Sequence, residues 1–185
     1  MKKFLILPAS ILIAFFTSAQ KSAYQAPNMP VDEETKLITY SNVIEVPSTG
    51  KSELYKRAES WMMTYFKNPT EVIRERDSSA AKITGKPRFR IYNEPGENGV
   101  KMDAGLVQYS LTFACKENKY KYTISEINWK QASYFPVEKW VEQKDRYKQN
   151  NYFLFQTDSI IKKEIIQNFE KAMKTAPKKS NKDDW

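Results

Sequence analysis

Hydrophobic and polar positions alternate in a way that predicts a mixed α+β chain. The clearest helical signal runs from about Lys51 to Lys67, where Leu54, Tyr55, Ala58, Trp61, Met62, Tyr65 and Phe66 recur at helical spacing and form one apolar stripe. Asn68-Pro69 stops it. The clearest strand signal runs from Gly105 to Lys116, with Val107, Tyr109, Leu111, Phe113 and Cys115 on one face and Gln108, Ser110 and Thr112 on the other. Glu117-Asn118 reads as a tight turn into a second strand, Lys119 to Trp129. Tyr120, Tyr122 and Ile124 point inward there, but Ile127 and Trp129 fall out of phase, which predicts a bulge near Glu126.

Weaker patterns complete the plan. Lys36 to Pro47 is rich in β-branched residues and predicts a first strand; Val72 to Asp77 predicts a short one. Lys82 to Asn93 predicts a longer strand, with Gly85 and Pro87 marking an irregularity or an edge. Glu94 to Asp103 reads as a loop. Residues 131–156 form a polar, aromatic-rich connection carrying Tyr134, Phe135, Trp140, Tyr147, Tyr152, Phe153 and Phe155, in which Pro136 could start a short helix with Trp140 and Lys144 on one side. A last helix is expected from Ser159 to Thr175, with Asp158 as N-cap and Ile161, Ile165, Phe169, Ala172 and Met173 inward. The order is β-α-β-β-β-β-α: an antiparallel sheet with two helices on one face.

The ends of the chain change this picture. Lys2 and Lys3 precede an apolar run from Phe4 to Phe16, and Thr17-Ser18-Ala19 places small residues where a signal peptidase reads. Residues 1–19 are therefore expected to be a secretory signal peptide, cut before Gln20, with the protein in the periplasm or cell envelope. No other segment is apolar enough to span a membrane. Residues 20–35 read as an extended leader, 36–176 as one α+β domain, and the charged tail 177–185 as disordered. Losing Lys2 and Lys3 leaves 28 basic against 22 acidic residues, a net charge of +6 in place of +8.

A family resemblance can now be stated. Pro30-Val31-Asp32-Glu33-Glu34-Thr35, the strand Ile38 to Pro47 and the helix start Lys51 to Trp61 resemble an exported bacterial domain family of unassigned function. Ala81 to Lys86 and Tyr120 to Ile124 are similar to its later stretches. The resemblance implies a TATA-binding-protein-like fold and no catalytic residues. Such sequences usually place Gly after the Asp-Glu-Glu-Thr turn; Lys36 stands there instead.

Composition narrows the chemistry. There is no His, which removes the usual triads and most zinc sites. Cys115 is the only cysteine and lies in an apolar alternation, so it reads as a buried thiol. Thr49-Gly50-Lys51-Ser52 lacks the earlier glycine of a phosphate-binding loop and reads as a turn leading into a helix. Asp32, Glu33 and Glu34 read as a turn cluster. No cofactor or metal motif is present. If Phe89 and Ile91 face the core, Arg88 and Arg90 face outward with Lys119 and Lys121, making a basic, hydroxyl-lined sheet face. These four residues and Trp140 are the candidate partner-binding residues. The expected partner is an envelope protein or an anionic envelope polymer, not nucleic acid, since a minor-groove binder needs apolar wedges on that face. The alternatives are a carboxylate-dependent glycan or peptide hydrolase and a ligand-free structural domain.

Overall fold

The structure is a computed structural model; it describes residues 24–96, 98–130, 133–142 and 150–175. The expected signal peptide, the first residues of the leader, the charged tail, Lys144 and Tyr147 lie outside the described residues.

Strands β1 (Tyr40–Glu45), β2 (Ile73–Asp77), β3 (Lys82–Gly85), β4 (Arg88–Tyr92), β5 (Asp103–Lys116), β6 (Lys119–Lys130) and β7 (Tyr134–Pro136) form one antiparallel sheet. Its order is β1-β6-β5-β3-β2, with β4 also on β5 and β7 also on β6. β3 and β4 lie end to end along one side of β5: β3 pairs Leu111 to Ala114 and β4 pairs Asp103 to Gln108. They are the single expected strand, broken at Lys86-Pro87. Proline has no N–H for the ladder, and Pro87 instead offers its carbonyl to Tyr109 N. Gly85 is needed at the break by space. A Cβ there would lie 2.9 Å from Met62 Cε and 3.1 Å from the Val72 carbonyl oxygen. Gly85→Val is expected to lower stability by about 1–3 kcal/mol, read as a reduced urea midpoint at unchanged slope.

The phase switch on β6 is a bulge. Ser110 pairs Ser125 and Gln108 pairs Asn128, so Glu126 and Ile127 together oppose Tyr109, and Glu126 takes a φ of 50°. Val107, Tyr109, Leu111, Phe113, Cys115, Tyr120, Tyr122, Ile124 and Ile127 are all buried on the inner face.

Two helices cover that face. Helix α1 (Lys51–Tyr65) buries Leu54, Tyr55, Ala58, Trp61 and Met62; a one-turn helix α2 (Pro69–Val72) links it to β2. The hairpin between β5 and β6 clamps the start of α1: Glu117 accepts from Lys51 N at 3.1 Å and Asn118 from Thr49 N at 3.1 Å. This carboxylate at a helix N-terminus is the ordinary role for such a turn. The second long helix differs from expectation. After the short α3 (Glu138–Val141), α4 (Asn151–Ser159) runs without a break through a π-helical segment (Ile160–Ile166) into α5 (Gln167–Lys174). It starts eight residues before Ser159, capped by Asn150, which accepts from Phe153 N. Asp158 is not the cap. It sits inside the helix, where it accepts from Tyr40 Oη at 2.7 Å and pairs with Lys162 at 2.9 Å.

The π segment has a packing reason. Phe153, Thr157, Ile161, Ile165, Phe169 and Met173 are all buried, four residues apart. At 3.6 residues per turn, each four-residue step rotates the stripe by about 40°. The wider π turn rotates it back and keeps it facing the sheet.

The front turn is shaped as a glycine would shape it. Asp32 Oδ1 accepts from the Glu34 and Thr35 N–H groups and the Thr35 hydroxyl, and these bonds hold its carboxyl below the usual range. Lys36 follows with a φ of 59°. A left-handed conformation costs a side-chain-bearing residue about 1 kcal/mol, so Lys36→Gly is expected to be neutral or to raise stability slightly in a urea melt.

Candidate functional site

The end of the sheet formed by β4, β7 and the α1–β2 connection holds a cavity of about 420 Å³. Among the described residues five cations line it, Lys67, Arg74, Lys86, Arg88 and Lys130, against one carboxylate, Glu71. Each comes from the end of an element. Lys67 follows the last turn of α1, and Arg74 is the second residue of β2. Lys86 fills the break between β3 and β4, where its N–H donates to Val72 O at 2.8 Å. Arg88 opens β4 and Lys130 closes β6. Phe66, Asn68, Val72, Gln108 and Tyr134 also line it, and Tyr134 Oη donates to Gln108 Oε1 at 3.1 Å.

The charges are only partly matched. Arg88 lies 3.5 Å from Glu71, and Lys86 lies 3.3 Å from Glu126. Among the described residues Lys67, Arg74 and Lys130 enter no ion pair. Ser110 and then Lys86 hydrogen-bond to Glu126 and lower its carboxyl below the usual range. The Lys86–Glu126 pair is therefore intact at neutral pH and is lost as acid protonates Glu126 below the ordinary carboxylate range. All five cations are exposed and gathered at one opening, so an anion that joins them relieves their mutual repulsion.

The sequence-based candidates separate into three places. Arg88 lines the cavity. Arg90 faces outward as expected but is held by Asp103 and lies outside the cavity. Lys119 and Lys121 are exposed at the opposite end of the sheet, so the expected basic face is two clusters and not one. Trp140 is a correction. It is 3% exposed and packs between Trp129 and Phe153, with ring centroids at 5.6 and 5.2 Å, so it belongs to the core and offers no binding surface. Most of the aromatic connection joins it: Tyr152 and Phe153 are buried, and β7 covers the end of β6. Tyr134 and Phe155 remain exposed. The other four cavity cations were not singled out from sequence, because no pattern distinguishes them from solvated lysines and arginines.

Other chemistry is muted. Burial pushes the Cys115 thiol up to about 11. In the native protein at pH 8, Cys115 is expected to resist labelling by Ellman's reagent and to react fully once the chain is unfolded. Among the described residues no group of three His, Cys, Asp or Glu side chains could hold a metal ion. Among them, too, no helix is long and apolar enough to cross a membrane.

Residues 40–130, from the first residue of β1 to the last of β6, match the family described as a domain of unknown function (DUF4468) with TBP-like fold. These residues belong to the DUF4468 family. No curated protein matches the chain. Solved structures agree on the fold of the DUF4468 domain. A TBP-like protein from Parabacteroides distasonis aligns with a TM-score of 0.57 at 13% identity, covering 80% of this chain and 99% of that one. A DUF4468 family protein from Bacteroides ovatus aligns with a TM-score of 0.58 at 17% identity, covering 81% and 93%. At these identities the likeness concerns fold. The DUF4468 match includes Lys67, Arg74, Lys86, Arg88 and Lys130 but stops before β7, α4 and α5.

Proposed function

We propose that the protein is an exported binding module that takes the anionic group of an envelope component in the five-cation cavity. The observation that carries this reading is the convergence of Lys67, Arg74, Lys86, Arg88 and Lys130 on one cavity in which, among the described residues, Glu71 is the one carboxylate. Arginine presents a flat fork of donors and lysine a point charge, both suited to phosphate or carboxylate oxygens. The Lys2-Lys3 start, the apolar run to Phe16 and Thr17-Ser18-Ala19 support the exported part.

Isothermal titration of the purified protein with pyrophosphate tests the binding. Saturable one-site binding that weakens as salt is raised supports the reading. Absence of heat at millimolar pyrophosphate in low salt, with no protection against thermal unfolding, would rule it out. N-terminal sequencing of the processed chain tests export; a mature terminus at Gln20 is expected.

A further inference from the structure

The outer face of the sheet carries a second cationic cluster at the end opposite the first. Lys116 and Lys119 are paired directly across the β5–β6 hairpin, a placement of like charges that destabilises a sheet. Ala114 stands between Lys121 on β6 and Lys82 on β3. The small side chain leaves a dent in the sheet. A cavity of about 420 Å³ opens there, lined by Val43, Ala114, Lys116, Lys119 and Lys121 and reaching round the sheet end to Lys51, Ala80, Cys115 and Tyr120. Among the described residues none of these lysines, nor Lys82, enters an ion pair. Carboxylates surround it: Glu45 opposite Lys119 on β1, Asp77 opposite Lys82 on β2, Glu117 in the hairpin turn, and Asp32, whose carboxyl feels the Lys121 charge.

Between the two clusters the same face is small and hydroxylated. Ser110, Thr112, Thr123 and Ser125 point outward on the two central strands, with Thr84 beside Thr112. A shallow cavity of about 220 Å³ extends the first site toward Ser110 and shares Lys86, Gln108 and Tyr134 with it; one carboxylate, Glu126, also lines it and accepts from the Ser110 hydroxyl. From Gln108 to Ala114 is six residues along β5, about 20 Å. No helix covers this face among the described residues.

Resting on the reading above, we propose that this face is a track for one linear phosphate polymer, gripped at both ends and steadied by hydroxyls between. Lysine, arginine, serine and threonine are the side chains that bind phosphate oxygens. The outward positions of the two central strands carry no aromatic ring, and Tyr134 on β7 offers one exposed ring at one end only, short of the row of rings on which successive bases of a single strand stack. Two grips on one chain act as linked sites, so affinity rises with chain length without any new kind of contact.

The test compares tripolyphosphate, too short to span the clusters, with long-chain polyphosphate, on the wild-type protein and on Lys119→Gln/Lys121→Gln. The long chain is expected to bind wild type at least about tenfold more tightly than tripolyphosphate. The double variant is expected to lose that gain while keeping the tripolyphosphate site at the first cavity. Both lysines are exposed and Lys119 opposes Lys116, so a thermal midpoint that is unchanged or slightly raised accompanies the loss. A variant that binds the long chain as wild type does overturns the track, as does tighter binding of polygalacturonate or duplex DNA than of polyphosphate. If tripolyphosphate binds wild type and only the length effect fails, the first site stands and the track falls. If tripolyphosphate does not bind at all, both fall.

Discussion

Phe169→Ala is expected to lower the unfolding free energy by about 3–5 kcal/mol, enough to bring the melting midpoint down by roughly 10 °C. Phe169 is the hub between the helix layer and the sheet. Its ring stacks on Phe113 at 3.9 Å and meets Trp61, Tyr120 and Tyr122 edge-on at 5.0, 5.3 and 6.4 Å. It is 2% exposed. The residues around it come from α1, β5 and β6, so a single truncation loosens both layers at once. Collapse into the gap is hindered. Trp61 is pinned by its indole N–H, which donates to Asn168 at 2.7 Å, and Arg57 ties α1 to the carbonyl of Met173 at 2.8 Å. Differential scanning calorimetry reads the shift. A loss under about 1 kcal/mol would mean that the aromatic cluster repacks freely and that the hub is misassigned.

Arg88→Gln combined with Lys130→Gln is expected to weaken pyrophosphate binding by about a hundredfold. Each substitution removes a charge-assisted contact worth about 1.5–3 kcal/mol, which is tenfold or more in affinity. Removing Arg88 also leaves Glu71 without its partner, so a carboxylate then faces the anion. Both side chains are exposed at a rim, and the fold should be unaffected. Arg90→Gln is the control. Arg90 lies one outward position along β4 but outside the cavity and is held by Asp103, so its loss should leave binding within about twofold. Equal losses from the Arg90 variant and the double variant would mean that general surface charge, and not the cavity, attracts the anion.

The two central strands were legible because their alternation is strict, and the bulge was legible because Ile127 and Trp129 break phase in a way only an extra residue can explain. Gly85 and Pro87 announced the break between β3 and β4: proline lacks the N–H that a ladder needs, and glycine lacks the side chain that favours a strand. The start of α4 was hidden. Asn151 to Asp158 carries its buried residues as Tyr152, Phe153, Leu154 and Thr157, which show no simple stripe, and Asp158 before an isoleucine pair imitates a cap. Trp140 was misplaced because an aromatic in a polar connection reads equally as surface or as core, and only the packing of Trp129 and Phe153 around it decides. The cavity was the least legible feature. Its five cations span residues 67 to 130 and sit at element ends, where periodicity says nothing about direction. Arg88 alone lay inside a strand whose alternation told which way it pointed.

The central claim is that an anion enters the cavity between β4, β7 and the α1–β2 connection. Backbone amide shifts recorded during a titration with pyrophosphate test it most directly. The account predicts that the largest changes gather at Phe66, Glu71, Lys86, Arg88, Gln108 and Lys130, and saturate together with one dissociation constant. Small changes scattered over all exposed lysines, without saturation, would contradict it.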